Sequence, residues 1–419
     1  MKKVAILTNM LEFLPGYSLT GIIKDQVRML RDHGHEVDLF VSERYHGEEF
    51  KDATLKPLIP GTVLKDYVSK NDLTDTHKVV IDKTAAVLMK ELNDVPIVFT
   101  HDFVFTGWFL PFGQACKKIG RLMGDTRWLH WLHSIPTSGR DFWRIREFGP
   151  SHKLVFPNET DRLRVAEQYH GVIDDVRVIP HIKDLRSFFE FDEETQNFIK
   201  EYPGLMQNEI VQVYPASVDR LEAKRVREVI MLFSKIKKMG MSVFLVIANQ
   251  WTTTRAQAQS VDHYKNIARR NGLREGDDFV FTSDYKQGMW TVGVPQRNLR
   301  EMMMCANLFI FPTREESFGL VLPEAALASG ALCVLNKSLT MQLEVSGFST
   351  LYFDFGSYHM NVEHQQEGQY LTDVAKIIIG RMRQNETLVT RTFMRRKYNW
   401  DNLYNSYYAP IMAESETWT

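Results

Sequence analysis

Short apolar runs alternate with amphipathic stretches along most of the chain. "VAIL" near the start precedes a loop and then "GIIKDQVRMLRDHG", in which apolar residues recur at three- and four-residue spacing before a closing glycine. The first run is typical of a buried strand and the second of a helix. Further strand-like runs follow as "EVDLFV", "PIVFTHD", "RWLHWLH", "KLVFPN" and "DVRVIP". This alternation predicts βαβ units and a parallel sheet.

A second series of the same kind begins near residue 209. "IVQVYPAS" predicts a strand, "KRVREVIMLFSKIKKMG" a helix and "SVFLVIAN" a strand, and "FVFTS", "LFIFPT" and "LCVLN" continue the pattern. Residues 185–208 are charged and irregular, and we interpret them as an interdomain connection. The pattern therefore predicts an α/β protein with two Rossmann-like domains, 1–184 and 209–385. Open parallel sheets bind ligands beyond the carboxyl ends of their strands, so two sheets facing each other would place the site in a cleft.

Composition adds few constraints. A formal net charge of −1 over 419 residues gives no bulk attraction to nucleic acid or anionic membranes. Three widely spaced cysteines without a CxxC pair argue against a disulfide scaffold or a zinc ribbon and favour a reducing compartment. "MKKVAILTN" is too short in apolar residues for a signal peptide, and no run approaches a membrane span. We therefore expect a cytoplasmic protein without an integral membrane segment.

The segment "TREESFGLVLPEAALASG", residues 313–330, combines a buried strand end, a polar turn and a helix. Ser317 is placed to cap the first helical turn, and Gly330 ends the helix. Three backbone N–H groups at the helix start point outward, where the helix dipole favours an anion. They belong to Phe318, Gly319 and Leu320.

Two glutamates flank this predicted anion site. Glu316 precedes it and Glu324 lies about one turn into the helix, so both carboxylates are placed to accept hydrogen bonds from ligand hydroxyls. A ligand with phosphate in the middle and hydroxyls at both ends is a nucleotide sugar. The same spacing also fits a capping carboxylate followed by an exposed helix residue.

The stretch from Glu316 to Glu324 resembles the E-x7-E motif of retaining glycosyltransferases of family 4, which have the GT-B fold. "KVAILTNM" with "GHEVDLFV" is similar to that family's first strands, and "DVRVIPHIKD" to the end of its first domain, with His181 and Lys183 in place of Asn-Gly. "YNWDNLYNSYY" resembles its last helix. The resemblance implies two Rossmann-like domains facing each other across a cleft, with an acceptor-binding N-terminal domain. It also implies that residues 386–419 form a C-terminal helix returning to that domain.

The resemblance implies a role for each motif residue. Glu316 contacts the donor sugar as a catalytic residue, Glu324 holds the ribose hydroxyls, and residues 317–320 contact sugar and phosphate. The family also clamps the diphosphate with an arginine and a lysine. In "YPASVDRLEAKR" these are Arg220 and Lys224, although the spacing is one residue short, so Arg225 is an alternative to Lys224. Fixed cations there stabilise the charge that a leaving diphosphate gains.

The activity implied is retaining transfer of a hexose or pentose from a UDP- or GDP-sugar to a hydroxyl acceptor, without a cofactor. The acceptor is a glycan, a small molecule or modified DNA. The chain has no D-x-D sequence, which favours a metal-independent reaction. Two other readings stay open. One is a phosphorylase or epimerase of GT-B architecture, and the other is a non-catalytic nucleotide-sugar binder. The oligomeric state is not predicted.

The N-terminal half is expected to bind the acceptor. The loop "PGYSLTG" is placed to close over the donor phosphates with Gly16, Tyr17, Thr20 and Gly21. His101 in "FTHDF", at a strand end, is a candidate acceptor-side hydrogen-bonding group or base. His130 and His133 are three residues apart in a strand and therefore face opposite sides, which disfavours a shared metal. His133, nearer the strand end, is the better site candidate.

Residues 117–153 contain five more basic than acidic residues, interleaved with aromatic ones. This combination is typical of phosphate contacts with stacking platforms. Arg140, Arg144 and Arg146 are the candidates, and a hydroxymethylated DNA base is the corresponding acceptor. The alternative is a solvated loop beside a stripe of core aromatic residues.

Overall fold

The chain forms two compact units, Met1–Asp184 with Trp400–Thr419 and Leu185–Asn399. The computed structural model describes residues 2–14, 16–62, 67, 69–105, 109–120, 122–133, 143–347, 350–362 and 364–414. Each unit contains parallel strands joined by helices. The α/β class predicted from the alternating pattern is therefore confirmed.

The first unit is built on a seven-stranded parallel sheet. Its strands are β1 (Lys3–Leu7), β2 (Glu36–Ser42), β3 (Thr54–Ile59), β4 (Ile97–His101), β5 (Arg127–Trp131), β6 (His152–Phe156) and β7 (Val176–Val178). Its helices up to this point are α1 (Ser18–Asp32), α2 (Asp75–Glu91), α3 (Leu110–Gly120) and α4 (Arg162–Gln168). The strand order β3-β2-β1-β4-β5-β6-β7 reverses direction between β1 and β4. Ligands of open α/β sheets bind at such switch points.

The second unit contains two three-stranded parallel sheets, in the orders β10-β9-β8 and β11-β12-β13. The strands are β8 (Ile210–Ser217), β9 (Val243–Gln250), β10 (Phe279–Phe281), β11 (Leu308–Phe311), β12 (Leu332–Asn336) and β13 (Leu351–Phe353). The helices are α5 (Leu185–Phe188), α6 (Glu193–Glu201), α7 (Gly204–Gln207), α8 (Val226–Lys238), α9 (Arg255–Arg270), α10 (Gln296–Cys305), α11 (Val321–Ser329), α12 (Met341–Ser346), α13 (Glu367–Gln384) and α14 (Glu386–Lys397).

The side chain of Gln212 joins these two sheets. It is fully buried on β8, and its amide donates to the Ile310 carbonyl (2.9 Å) and accepts from the Ile310 N–H (2.9 Å) on β11. One side chain thus replaces a rung of backbone pairing. The combined order β10-β9-β8-β11-β12-β13 also reverses direction, between β8 and β11, and the loops after these two strands meet at the switch point.

Residues 185–208, which we interpreted as a connection, form α5, α6 and α7 within the second unit. Apart from the buried Arg186, their charged residues are exposed or half-buried, while Phe198, Ile199 and Leu205 are buried in its core. The high charge of the segment reflects one solvated face of short amphipathic helices.

Residues 386–419 divide between the units. Helix α14 belongs to the second unit, and the chain then enters the first as α15 (Trp400–Leu403), a π-helical turn (Tyr404–Tyr408) and α16 (Ala409–Ala413). The Arg127 guanidinium at the start of β5 donates to the Ile411 carbonyl (2.6 Å). The last turns of the chain thereby complete the first unit.

Candidate functional site

The loops after β8 and β11 lie side by side in the second unit. The Arg314 N–H donates to the Ala223 carbonyl (2.8 Å), and the Thr313 hydroxyl donates to the same oxygen (3.3 Å). These bonds bring the segment that carries Arg220 and Lys224 against the segment that carries Glu316. The sequence-predicted cations and carboxylate are thus brought together at the switch point.

Lys224 and Glu316 form an ion pair in which both side chains are nearly buried, 11% and 13% exposed. The Lys224 ammonium also lies over the Phe311 ring, 5.0 Å from its centroid. A shielded pair of this kind loses much more when one partner is removed than a solvated pair does. The ion pair therefore holds one positive and one negative charge in fixed positions between the loops that follow β8 and β11.

Two outer ion pairs flank the inner one. Arg220 pairs with Glu315 (3.1 Å), and Arg314 pairs with Glu222 (3.2 Å). Arg220 and Glu315 are 43% and 57% exposed, so solvent screens their attraction. An incoming anion can therefore displace Glu315 from Arg220 at little cost in free energy.

Arg225, the alternative to Lys224, is directed elsewhere. It adopts a left-handed conformation (φ 52°) just before α8. Its guanidinium pairs with Glu228 (2.9 Å) and approaches the Gly356 carbonyl (3.5 Å). Of the two candidates, Lys224 is the one beside Glu316.

The turn before α11 presents free backbone donors. Within the described part of the chain, no hydrogen bond is donated by the N–H groups of Phe318, Gly319 or Leu320. Gly319 has φ 76°, and a Cβ there would lie 3.1 Å from Glu316 Cγ and 3.2 Å from Phe311 Cε1. The positive φ therefore favours glycine, a Cβ would also be tight against two side chains, and the turn can receive an anion.

Helix α11 differs from the sequence prediction at its start. Its N-cap position is Leu320, without a side-chain cap, so the prediction that Ser317 caps the first turn is wrong. The reason is the left-handed Gly319, which delays the helix until Val321. Glu324 is exposed in the first turn, and its carboxylate has no partner among the described residues.

In the first unit, Tyr17 occupies the N-cap position of α1, and its hydroxyl hydrogen-bonds Asp102 at the end of β4. Burial raises the pKa of Asp102 to about 6, and the bond to Tyr17 opposes the rise. The Thr20 hydroxyl is buried without a partner in the described chain. Gly16 and Gly21 face open space, so no steric need requires glycine there.

Sequence reasoning missed Asp102. It directly follows His101, has φ 47°, and lies at the switch point between β1 and β4. The signal available was its place at a strand end in "FTHDF". An ionisable group with a displaced pKa at such a position is a functional-site candidate.

His101 and His133 hydrogen-bond each other at the ends of β4 and β5. His101 Nδ1 lies 2.9 Å from His133 Nε2, and His101 Nε2 lies 2.8 Å from Gln26 Oε1. The ring of His133 stacks on that of His181, with 5.2 Å between centroids. Since both His101 nitrogens are occupied, the direct ligand contact that we expected of His101 is not available to it, whereas His133 keeps Nδ1 without a partner in the described chain.

His130 lies on the opposite face of the sheet, as the strand period predicts. Its Nε2 lies 2.9 Å from His152 Nδ1, and its Nδ1 lies 3.0 Å from the Thr100 hydroxyl. Across the described residues, no three His, Cys, Asp or Glu side chains form a group able to hold a metal.

The described residues of the basic aromatic segment, 117–153, offer little as a nucleic-acid surface. Arg140 lies outside the described residues. Arg146 pairs with Asp175 (3.0 Å), and Trp143 is buried beside Phe105 rather than exposed for stacking. Arg144 directly precedes a short helical turn, Ile145–Glu147. The described tryptophan and phenylalanine residues of this segment are core, as the alternative interpretation held.

No protein-family model and no curated protein matches the chain. Among solved structures, it is similar to a glycosyltransferase from Rickettsia africae, with 13% identity, 99% of this chain and 98% of that chain covered, and a TM-score of 0.33. It is similar to HepE of Anabaena in complex with UDP-glucose, with 12% identity, 99% and 100% coverage, and a TM-score of 0.34. It is also similar to a UDP-forming α,α-trehalose-phosphate synthase from Burkholderia xenovorans, with 12% identity, 99% of this chain and 100% of that chain covered, and a TM-score of 0.33. Because these TM-scores lie below 0.5, the likenesses carry no conclusion about this chain.

None of the described helices is long and apolar enough to cross a membrane.

Proposed function

We propose that the chain is a retaining glycosyltransferase that takes a hexose or pentose from a UDP- or GDP-sugar to a hydroxyl acceptor. One observation carries the proposal. The shielded Lys224–Glu316 ion pair lies at the switch point of the second unit, beside a turn with three N–H groups that donate to none of the described residues. Cation, carboxylate and N–H donors within two adjoining loops match a sugar diphosphate.

The donor is assigned to the second unit. Lys224 and Arg220 neutralise the diphosphate, and the N–H groups of the turn before α11 bind its oxygens. Glu316 accepts a hydrogen bond from a sugar hydroxyl, and its ion pair with Lys224 fixes its orientation. The exposed carboxylate of Glu324 accepts from the ribose hydroxyls.

The chemistry follows from this distribution of charge. As the bond from the anomeric carbon to the phosphate breaks, negative charge grows on the diphosphate and positive charge on the sugar ring. Lys224 and Arg220 stabilise the first and the Glu316 carboxylate the second. The leaving phosphate oxygen takes the acceptor's proton, and attack on that same face retains the configuration. The acceptor is assigned to the first unit, where His133 and Asp102 offer hydrogen-bonding groups.

Donor turnover tests the proposal. Release of nucleoside diphosphate is measured from UDP-, GDP- and ADP-sugars, with simple glycosides or hydroxymethylated duplex DNA as acceptors. We expect release from one donor, lowered about 100-fold in Glu316→Gln and unchanged in Glu386→Gln, an exposed change at the start of α14. Product NMR then reads the anomeric configuration. No release from any donor, or full activity in Glu316→Gln, contradicts the proposal.

A further inference from the structure

A buried line of hydrogen bonds runs through the first unit, from Tyr408 to His133. The Gln26 amide donates from Nε2 to the Tyr408 hydroxyl (3.0 Å). Gln26 Oε1 lies 2.8 Å from His101 Nε2, and His101 Nδ1 lies 2.9 Å from His133 Nε2. Gln26 is fully buried on α1, and His101 and Tyr408 are each 1% exposed. The line joins α1 and the C-terminal π-helical turn to the ends of β4 and β5.

Both imidazoles in this line are neutral at neutral pH. Burial lowers the pKa of His101 well below its ordinary value and that of His133 to about 3. A neutral imidazole has one N–H and one lone pair, so the role of one nitrogen fixes the role of the other. The two rings are therefore coupled through their shared hydrogen bond.

The amide of Gln26 sets the direction of the whole line. Because its Nε2 donates to Tyr408, its oxygen is left to accept, which places the His101 proton on Nε2. His101 Nδ1 is then an acceptor and takes the proton of His133 Nε2. The remaining nitrogen, His133 Nδ1, is left with a lone pair. If the Gln26 amide were reversed, His133 Nδ1 would instead carry a buried N–H without an acceptor. Buried N–H groups without a partner are rarer than buried acceptors without one.

His133 Nδ1 is a vacant acceptor. It is buried and has no hydrogen-bond partner among the described residues, and the same holds for Nδ1 of the stacked His181. Buried polar atoms in native proteins are nearly always satisfied, and a persistent exception calls for a ligand or a water. Both histidines follow the carboxyl ends of parallel strands, where α/β sheets bind ligands.

We propose that Gln26 is a positioning residue: it fixes the His101 tautomer, and through it presents His133 Nδ1 as a hydrogen-bond acceptor for a ligand hydroxyl. The identification of that hydroxyl as the sugar acceptor's rests on the proposed function. The tautomer assignment does not, because it concerns the free protein.

Long-range ¹H–¹⁵N NMR of the full chain labelled with ¹⁵N-histidine tests the proposal. At pH 7 the wild type is expected to show His101 and His133 as Nε2–H tautomers, assigned by loss of signal in His101→Asn and His133→Asn. Gln26→Glu keeps an acceptor toward His101 and should preserve both tautomers. Gln26→Met keeps the length but removes the acceptor, and the His133 signals should shift toward a mixture of tautomers.

Several results would overturn the proposal. These are a wild-type His133 protonated on Nδ1, a His133 imidazolium at pH 7, or tautomers unchanged in Gln26→Met. If Gln26→Met does not fold, the wild-type and Gln26→Glu spectra still decide, since both must show Nε2–H on both rings.

A kinetic measurement separates this inference from the proposed function. With a donor that is turned over, Gln26→Met should lower kcat/KM for the acceptor about tenfold and leave the KM for the donor unchanged, while Gln26→Glu restores activity. Tautomers as expected in a chain that turns over no donor would leave the positioning role intact and reject the glycosyltransferase. Turnover unaffected by Gln26→Met would reject the positioning role alone.

Discussion

Lys224 and Arg220 provide a matched pair of residues, one shielded and one solvated. Lys224→Met leaves the Glu316 carboxylate without its partner, and we expect the free energy of unfolding of the second unit to fall by about 3 kcal/mol. Arg220→Met removes a pair that is 43% and 57% exposed and should cost less than about 1 kcal/mol. Urea titrations of both variants make the comparison.

The double variant Lys224→Met/Glu316→Gln completes that test. It removes both charges, so it should recover most of the stability lost in Lys224→Met. Equal costs for the Lys224 and Arg220 variants, or no recovery in the double variant, would show that the pair is not shielded in solution.

Gly319 and Gly330 differ in their surroundings although both have positive φ, 76° and 62°. Gly319→Ala brings a Cβ to 3.1 Å from Glu316 Cγ, whereas Gly330→Ala meets nothing within 4 Å. Each substitution costs about 1 kcal/mol for the backbone conformation. Only Gly319→Ala should also weaken binding of the nucleoside diphosphate of the proposed donor, UDP or GDP, about tenfold or more by calorimetry, since it disturbs the turn that carries the proposed phosphate-binding N–H groups. Equal affinities in both variants would exclude the turn from the phosphate site.

At the scale of elements, Gln212 holds β8 beside β11. Gln212→Leu leaves the N–H and carbonyl of Ile310 buried without partners, and we expect a loss of roughly 2–4 kcal/mol. Gln369→Leu on α13 is the control, since it removes an exposed hydrogen bond to Asp373 and should cost less than about 0.5 kcal/mol. Denaturant unfolding followed by circular dichroism measures both. A small loss in Gln212→Leu would mean that water reaches the junction.

The sequence predicted most strands because buried parallel strands are continuous apolar runs. "IVQVYPAS" coincides with β8, and "LCVLN" with β12. The two strands without a prediction, β3 and β13, are edge strands of their sheets. In β3, Pro57 and exposed residues weaken the apolar pattern. Edge strands need fewer apolar residues, so this pattern marks them poorly.

The candidate site was predictable only where its residues lie in one segment. Glu316, Gly319 and Glu324 lie within one short segment, and the predicted helix start there indicated an anion site flanked by two carboxylates. The pairing of Lys224 with Glu316 depends on the order of β8 and β11 in the sheet, which a single sequence does not fix. The same holds for Gln26 with His101, which are separated by 75 residues.

For the whole molecule, buried histidines predict a loss of stability in mild acid. Burial lowers the pKa of His133 and His152 to about 3, and it lowers the pKa of His101 and His130 well below 6.5. Below pH 6.5 these imidazoles therefore bind protons in the unfolded chain but stay neutral in the folded chain. Stability is full above that pH and falls as the pH decreases, by about 1 kcal/mol per histidine between pH 7 and 5.5.

The urea midpoint as a function of pH measures this effect. Asp25, Asp102 and Asp284 act in the opposite direction because burial raises the pKa of each carboxyl, that of Asp102 to about 6. His35 and His181 add to the loss, since burial lowers the pKa of both rings. His46→Gln, at a largely exposed histidine, is the control for the replacement of a histidine as such. A midpoint constant from pH 7 to 5.5 would contradict the burial of these rings.

The discontinuous first unit makes a prediction about truncation. A chain ending at Asn399 lacks the buried side chains of Trp400, Leu403, Tyr408 and Ile411. We expect it to expose the core of the first unit, to bind a hydrophobic dye and to aggregate. Residues 185–399 expressed alone should unfold in one cooperative thermal transition, since they contain all of the second unit. A soluble, dye-free truncated chain would contradict this.

The same discontinuity sets an order of events during synthesis on the ribosome. The segment that completes the first unit is translated after the whole of the second unit. At roughly 5–20 residues per second, the nascent first unit waits some tens of seconds for its final turns. The second unit, although it comes later in the chain, is the first that can be finished. During that interval the first unit exposes part of its core, so we expect chaperones to bind it.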